Sequence, residues 1–497
     1  MTESQLRAPA AATTAHDDPH HGRRWLVLGV VAVAQLMVVL DATIVNIALP
    51  SAQAALGFAD TDRQWIVTAY ALSFGSLLLL GGKLGDLFGR KNTFIVGLVG
   101  FALASALGGA AESFGVLVGA RVLQGVFGAL LAPAALATLA TTFTDPKERS
   151  KAFGVFGAVA GGGSAVGLVL GGVLTELLSW RWCLYVNLVF AVLAVVGAAF
   201  LLQNAKGQHR TRLDIPGTLL ASAGLFCLVF GFSEASTKGW VSTVTLTSLV
   251  AGVVLLVVFV VVQQRVSAPL LPLHVVTDRV RGTCYAAVGL SAIAIFAVFL
   301  FLTYYLQEIK GFSPITSGVS FLPLTAGIVT ASTTANIVLL PRTGPRPLLP
   351  LGMALGAAGM FLLTRLTPTA GYASHVLPSL VVLGLGFGLI FAPAISSATF
   401  GVERQDSGVA SAMVNTMQQV GGSIGTALLS TLAASATAGY ASTHTGDGTQ
   451  VLAAVHGYTT AFTVSGCIFV VGAILTAVLL PSGVLTAGAP KEPVAAH

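Results

Sequence analysis

Long apolar segments recur along the whole chain, and they restrict its possible folds more than any other feature. Fourteen segments of about 20 mostly apolar residues are separated by short polar connections. A helix needs about 20 such residues to cross the hydrocarbon core of a bilayer. Only 9% of the 497 residues are charged, which excludes a soluble globular fold. We therefore predict an all-α polytopic membrane protein.

The first apolar segment follows two arginines, as a signal peptide would, but it is too long for the apolar region of one. We interpret it as a retained span. The four cysteines are scattered without CxxC spacing, so neither a zinc site nor a disulfide framework is predicted. The fourteen predicted spans are residues 25–49, 64–82, 92–111, 115–140, 152–175, 183–202, 215–233, 241–262, 282–306, 316–340, 347–366, 375–397, 408–434 and 459–481.

The basic residues are distributed unequally between the two sets of connections. Of the 25 Lys and Arg residues, nineteen fall on the side of the N-terminus, five on the opposite side, and Arg121 lies inside a span. Cytoplasmic loops of membrane proteins carry an excess of Lys and Arg. This asymmetry predicts a multi-pass protein of the cell membrane with both termini in the cytoplasm. It also accounts for the net charge of +6 without a nucleic-acid partner.

A short basic loop recurs in reduced form. Its first copy, GKLGDLFGRK (82–91), joins spans two and three, and its second, PRTGPRP (341–347), joins spans ten and eleven. Paired six-helix halves are an architecture of secondary transporters. We predict an N-terminal half, two inserted helices and a C-terminal half at 25–203, 204–264 and 265–481, between a disordered cytoplasmic tail at 1–24 and a second cytoplasmic tail at 482–497.

Four motifs follow one another on the predicted spans: LDATIVNIALP (40–50), the loop at 82–91, RVLQG (121–125) and LTYYLQ (302–307). Together they resemble the major facilitator superfamily, and in particular its 14-span branch of drug:proton antiporters. The resemblance covers nearly the whole chain and implies a major facilitator fold of two six-helix halves plus two inserted helices. Two prolines usual in this branch are missing, since Leu168 stands in place of one and none lies near Val189.

Asp41 and Arg121 are the charged pair that we expect to couple transport to protons. Asp41 is the one acid deep inside a predicted span, where an ionised carboxylate costs about 2.5 to 3.5 kcal/mol on insertion scales. Counting about 1.5 Å per residue along each span puts both residues at similar depth. A change in their separation would then bind or release a proton. The alternatives are a structural hydrogen bond and a static ion pair.

The resemblance also implies roles for residues of the loop at 82–91. In this family Asp86 and Arg90 form a charge relay that holds one conformation of an alternating-access cycle. The alternative is that the cations of the loop only set topology. The other candidate gating residues of the loop are Gly82, Gly85, Gly89 and Lys91.

Span five carries a glycine face. Gly163, Gly167 and Gly171 recur every four residues, with Gly172 beside them. Small residues at this spacing let another helix approach closely, so ordinary helix packing is one interpretation. The resemblance adds that this face forms the interface between the two halves and limits leakage in antiporters.

Uncharged polar side chains on several spans predict a solvated substrate cavity. Hydrogen bonding between helices is the alternative. The resemblance implies export of lipophilic drugs or antibiotics in exchange for protons, and the uncharged cavity favours neutral or monovalent ones; a proton-coupled symporter and an exporter of an endogenous metabolite are the alternatives. The candidate cavity residues are Asn46, Gln124, Tyr304, Tyr305, Gln307, Asn415, Gln418 and Gln419.

Two other function classes lack their sequence signatures. GxxxxGK[ST] is absent, which argues against an ATP-driven pump encoded in this chain, and HExxH is absent, which removes the commonest signature of a membrane metalloprotease. We expect no enzymatic activity, no cofactor and no metal. The expected partners are a small lipophilic substrate, protons and the lipid bilayer, and we expect a monomer.

Overall fold

A computed structural model describes residues 23–143, 145–203, 214–266, 269–402 and 407–483. These residues form helices joined by turns, without a strand among them. The helices are α1 (Arg24–Leu56), α2 (Gln64–Phe88), α3 (Arg90–Gly109), α4 (Phe114–Thr142), α5 (Pro146–Leu177), α6 (Trp182–Leu201), α7 (Ile215–Lys238), α8 (Thr243–Gln263), α9 (Leu273–Thr277), α10 (Arg279–Tyr304), α11 (Pro314–Ser320), α12 (Leu322–Thr334), α13 (Leu340–Thr343), α14 (Pro345–Leu363), α15 (Leu377–Thr399), α16 (Ser407–Thr443) and α17 (Thr449–Leu479).

Three π-helical stretches interrupt or extend these helices. Tyr305–Ile309 continues α10, Ala335–Leu339 joins α12 to α13, and Tyr372–Val376 precedes α15. Within the described residues, 12 helical segments are long and apolar enough to cross a membrane. The prediction of an all-α polytopic membrane protein is confirmed at this level. α2 and α5 hold shorter apolar stretches, at Gln64–Leu78 and Gly162–Leu177.

The two copies of the basic loop share one backbone feature. Gly89 stands between α2 and α3 with φ +96°, and Gly344 stands between α13 and α14 with φ +72°. Residues that carry a side chain rarely adopt a positive φ, so glycine is the residue that permits both turns. The sequence repeat therefore corresponds to a repeated turn.

The helices pack as two bundles with a helix pair beside them. The first bundle comprises α1–α6, and the second comprises α10–α17. α7 and α8 pack against each other, and α7 also packs against α2 and α16. There the Gln64 amide donates to Ser233 Oγ at 2.9 Å, and Thr431 Oγ1 donates to the Phe232 carbonyl at 2.7 Å. The helix pair thus covers the seam between α2 and α16.

The connections alternate between two ends of the molecule. Arg63 lies in the connection from α1 to α2, and we call this side the Arg63 end; the connection from α2 to α3 marks the Arg90 end. At the Arg63 end the first bundle contacts the second. Tyr304 Oη donates to Gln53 Oε1 at 2.5 Å. The bundles are therefore joined directly at this end.

Candidate functional site

Asp41 lies in the middle of α1 with no exposed surface. Its Oδ2 accepts a hydrogen bond from Arg121 Nη1 at 2.5 Å. Its Oδ1 accepts from Gln124 Nε2 and from Asn187 Nδ2, both at 2.8 Å. A buried charge is tolerated when it is both paired and hydrogen-bonded. α4 and α6 supply the donors that hold this carboxylate inside the first bundle.

Arg121 links α4 to two other helices. The residue is 1% exposed. Besides Asp41, it donates from Nη1 to Gln124 Oε1 at 2.8 Å and from Nε to the Ile66 carbonyl at 3.0 Å. Its guanidinium carbon lies 4.4 Å from the centroid of the Tyr70 ring, within cation–π range. The structure therefore brings the predicted pair together and connects it to the first turn of α2.

Sequence reasoning missed three members of this cluster: Asn187, Ser105 and Tyr70. Ser105 Oγ on α3 accepts from Gln124 Nε2 at 2.7 Å and from Asn187 Nδ2 at 3.3 Å. All three side chains are buried. An amide inside an apolar span needs a hydrogen-bonding partner, so Asn187 was itself the available signal.

Two predicted cavity residues on the first bundle are buried. Gln124 belongs to the Asp41 cluster, where it bonds to both the acid and Arg121. Asn46 donates from Nδ2 to the Ala42 carbonyl at 2.9 Å, and its buried Oδ1 has no hydrogen-bond partner. Gln124 is thus a hydrogen-bonding partner of the ion pair. Roles of Gln124 and Asn46 in binding a substrate stay predictions.

Tyr304, at the end of α10, and Gln307 lie in the contact between the bundles, whereas Tyr305 is held within the second bundle. Tyr304 and Tyr305 have no exposed surface. Tyr305 Oη donates to the Thr367 carbonyl at 2.8 Å, and Gln307 Nε2 donates to the Ile47 carbonyl of α1 at 3.0 Å. Tyr304 and Gln307 therefore join the two bundles at the Arg63 end, and a role for the three residues in binding a substrate stays a prediction.

Three further predicted cavity residues, Asn415, Gln418 and Gln419, are half-buried on α16. Asn415 donates to the Ser411 carbonyl at 3.4 Å within its own helix. Gln419 lies where α16 meets α2, because a Cβ built on Gly75 would be 2.8 Å from Gln419 Cβ. The Gln419 Oε1 atom is buried without a hydrogen-bond partner. A polar group is thus placed between the two bundles.

The segment 82–91 was predicted to be a loop, but its first seven residues end α2 and its last two begin α3, because Gly89 alone makes the turn. Cations of this segment donate to carbonyls of other helices. Arg90 Nη1 donates to the Ala137 carbonyl of α4 at 3.4 Å, and Lys91 Nζ donates to the Ala199 carbonyl of α6 at 2.6 Å. Cations near the C-terminal end of a helix are favoured by its dipole. The side chain of Asp86 lies outside the described part of the structure, so the proposed charge relay stays a prediction.

Most of the glycine face of α5 contacts α1. A Cβ on Gly163 would lie 3.2 Å from Leu36 and Val39, and one on Gly167 would lie 2.0 Å from Thr43 Oγ1. Gly171 likewise packs against Ile44 of α1.

Gly172 is the member of the glycine face that points to the second bundle. A Cβ there would lie 2.5 Å from the Pro314 carbonyl oxygen. The resemblance implied that the whole face forms the interface between halves. The structure corrects this: the three glycines spaced by four share one side of α5 and bring α1 close within the same bundle, while Gly172, rotated by one residue, reaches α11.

Metal ligands do not cluster in the described residues, where no group of three or more His, Cys, Asp or Glu side chains comes together. The four cysteines are free thiols. The distinctive chemistry of this part of the chain is therefore the buried acid and its three donors.

Comparisons with known proteins are consistent across sequence and structure. The Major Facilitator Superfamily matches residues 31–426. The chain is 52% identical to the puromycin resistance protein pur8 of Streptomyces alboniger over 463 residues, which cover 93% of this chain and 92% of that protein. It is 37% identical to the cephamycin export protein CmcT of Amycolatopsis lactamdurans over 409 residues, which cover 82% and 84% of the two chains.

Among solved structures, the chain is similar in fold to a bacterial homologue of the human lysosomal transporter Spinster in an inward-facing, unoccupied conformation. The TM-score is 0.62 at 14% identity, and the match covers 93% of this chain and 98% of the other. This likeness concerns the path of the backbone. It agrees with the two helical bundles described above.

Proposed function

Because the chain belongs to the Major Facilitator Superfamily, we propose that it is a proton-coupled antiporter that exports lipophilic drugs or antibiotics across the cytoplasmic membrane. Members of this superfamily are transporters, so the chain is not an enzyme. The relatives named for puromycin resistance and cephamycin export support an antibiotic as the cargo.

The observation that carries proton coupling is the buried Asp41 carboxylate with its donors. Protonation would neutralise the acid and leave the Arg121 guanidinium with the Ile66 carbonyl and Gln124 Oε1 as its acceptors. Removing one partner of a buried pair costs about 3 to 5 kcal/mol. Moving a two-state equilibrium from 1:99 to 99:1 takes about 5.5 kcal/mol. One proton at Asp41 is therefore of the right size to bias the transport cycle.

Alternating access would use the two bundles as the moving bodies. We count α2 and α5 with the 12 apolar helical segments, which gives fourteen spans. Both helices pack inside the first bundle, α2 on α4 and α5 on α1. The halves then span 25–203 and 265–481, with α7 and α8 as the insertion at 204–264.

The Arg63 end would face the outside and the Arg90 end the cytoplasm, as the distribution of Lys and Arg favours. Both termini are then cytoplasmic. In this orientation the contact between Tyr304 and Gln53 closes the path to the outside. Release of cargo would require this contact to part.

The cargo would carry at most one positive charge. The candidate cavity residues are amides and phenols, and Asp41 is the acid placed deepest in the spans. An unpaired charge near the bilayer centre costs several kcal/mol. One carboxylate compensates one charge, which favours neutral or monovalent lipophilic compounds exchanged for about one proton.

The test is resistance in a host that lacks its own efflux pumps. We expect the wild-type chain to raise the inhibitory concentration of puromycin, and a protonophore to abolish the gain. Asp41→Asn should lose resistance, whereas Asp447→Asn, which removes an exposed carboxylate in the connection before α17, should keep it. Drug accumulation instead of export would favour a symporter, and resistance unaffected by the protonophore would contradict proton coupling.

A further inference from the structure

A second buried cation lies at the contact between the bundles. Arg63 precedes α2 and is 8% exposed. Its guanidinium carbon lies 4.0 Å from the centroid of the Tyr304 ring of α10 and 5.9 Å from that of Tyr458 of α17. A guanidinium over aromatic faces is attracted by their negative π-systems, more strongly when water is excluded. One side chain of the first bundle is thus held between two helices of the second.

We propose that Arg63 is the latch that keeps the Arg63 end closed between transport steps. This assignment rests on the proposed transport function, since a latch has a use only where the two ends open alternately. Four side chains form a closed ring: Arg63 faces Asp60 at 3.7 Å, Gln53 Nε2 donates to Asp60 Oδ1 at 2.6 Å, and Gln53 Oε1 accepts from Tyr304 Oη at 2.5 Å. The contact of the Tyr304 ring with the Arg63 guanidinium closes this ring of side chains.

The ring draws on both bundles. Gln53, Asp60 and Arg63 come from α1 and the connection to α2, whereas Tyr304 ends α10. Arg63 Nη1 is buried without a hydrogen-bond partner, and the guanidinium is held by the Tyr304 and Tyr458 side chains and by the charge of Asp60. Opening this contact therefore breaks no hydrogen bond at Arg63 Nη1. The contact is thus suited to open and close repeatedly.

The latch is connected to the Asp41 pair through the first turn of α2. The Arg63 carbonyl accepts from the Ile66 N–H at 3.3 Å. The Ile66 carbonyl in turn accepts from Arg121 Nε at 3.0 Å. A movement of Arg121 away from Asp41 therefore displaces the backbone from which Arg63 projects. Protonation of the acid and opening of the Arg63 end would share this one turn of helix.

Distances between spin labels at both ends test the latch in the full-length protein. Labels on Ser113→Cys and Thr369→Cys report the Arg63 end, and labels on Asn92→Cys and Arg342→Cys report the Arg90 end. All four positions are exposed. The four native cysteines are replaced first, and the purified transporter is measured in lipid nanodiscs without cargo.

The matched pair of variants is Arg63→Gln and Arg181→Gln. Arg181 also lies at the Arg63 end with its guanidinium 4.7 Å from an aromatic centroid, that of Trp180. Its hydrogen bonds go to the Gly109 and Ala111 carbonyls, inside the first bundle. We expect Arg63→Gln to raise the fraction with a long Ser113–Thr369 distance about tenfold, and Arg181→Gln to leave it unchanged.

Unchanged distances in a folded Arg63→Gln protein would overturn the latch, as would equal widening in Arg181→Gln. Tyr458→Leu covers the case in which Arg63→Gln fails to fold, because it removes one ring and keeps the arginine. It should raise the fraction with a long Ser113–Thr369 distance by less than tenfold, and an unchanged fraction would count against the latch. Because these distances are measured without cargo or proton gradient, a failure of the resistance test leaves them unaffected. The latch and the proposed transport function can therefore be refuted independently of each other.

Discussion

Replacing Asp41 and Arg121 singly and together separates a proton carrier from a static ion pair. Asp41→Asn puts a carbonyl oxygen where Oδ1 accepts from Gln124 and Asn187, so those two hydrogen bonds persist. The amide nitrogen then stands where Oδ2 accepts from Arg121, and donor faces donor. Arg121→Gln leaves the opposite defect, a buried carboxylate without its cation.

The magnitude follows from burial. Asp41 is 0% exposed and Arg121 is 1% exposed, so water cannot replace the lost partner. Each single variant should lower the free energy of unfolding by about 3 to 5 kcal/mol. The double variant Asp41→Asn with Arg121→Gln carries no buried charge at either position, and the two amides can bond to each other. It should regain part of the loss, with a coupling energy of about 2 to 3 kcal/mol.

The assay pairs stability with transport. Unfolding of the purified variants in one detergent gives the stability cycle, and drug efflux from energised vesicles gives function in the same proteins. We expect the double variant to recover part of the lost stability while drug-driven proton movement remains absent, because no titratable acid is left at position 41.

Two results would refute this reasoning. Efflux by the double variant at the wild-type rate would show that the pair is a static lock between α1 and α4. A single Asp41→Asn variant as stable as the wild type would show that the pair is not sealed from water as its burial indicates.

Three other predictions extend these tests. In energised vesicles a lipophilic monocation should be exported and a matched dication poorly; equal rates would indicate a second acid in the path. Cysteines at Asn92 and Ser113 should be labelled by an impermeant thiol reagent from the cytoplasm and from outside respectively, and the reverse pattern would invert the proposed topology. Gly172→Ala, whose Cβ would lie 2.5 Å from the Pro314 carbonyl, should slow export about tenfold; Gly162→Ala, with open space around it, should not, and equal effects would contradict the close approach.

The membrane helices were predictable because apolar length alone specifies them. Their ends were less so. The first span was predicted to end at residue 49, before Pro50, whereas α1 continues through that proline to Leu56. Neighbouring helices and local adjustments satisfy the backbone groups that a proline frees within a membrane helix. The π-helical stretch Tyr305–Ile309 likewise depends on tertiary contacts, since no composition rule marks it.

The depth of the site residues in the membrane was predictable from the sequence, but the rotation of each helix about its axis was not. Counting the helical rise put Asp41 and Arg121 at one level, and the structure brings them together. Which helix face meets which neighbour depends on how each helix is rotated, and a single sequence does not specify that. Asn187 was therefore not matched to Asp41, and the glycines that pack on α1 were assigned to the other half.

The acceptor that Arg121 finds on α2 is a main-chain carbonyl, that of Ile66, and this affects how the protein can evolve. Every amino acid offers that carbonyl, so codon changes at position 66 alter packing and leave the acceptor in place. Lineages that adapt to a new toxic compound can therefore change the side chain at position 66 without losing this acceptor. The connection from the ion pair to α2 is inherited with the backbone rather than with any one residue at that position.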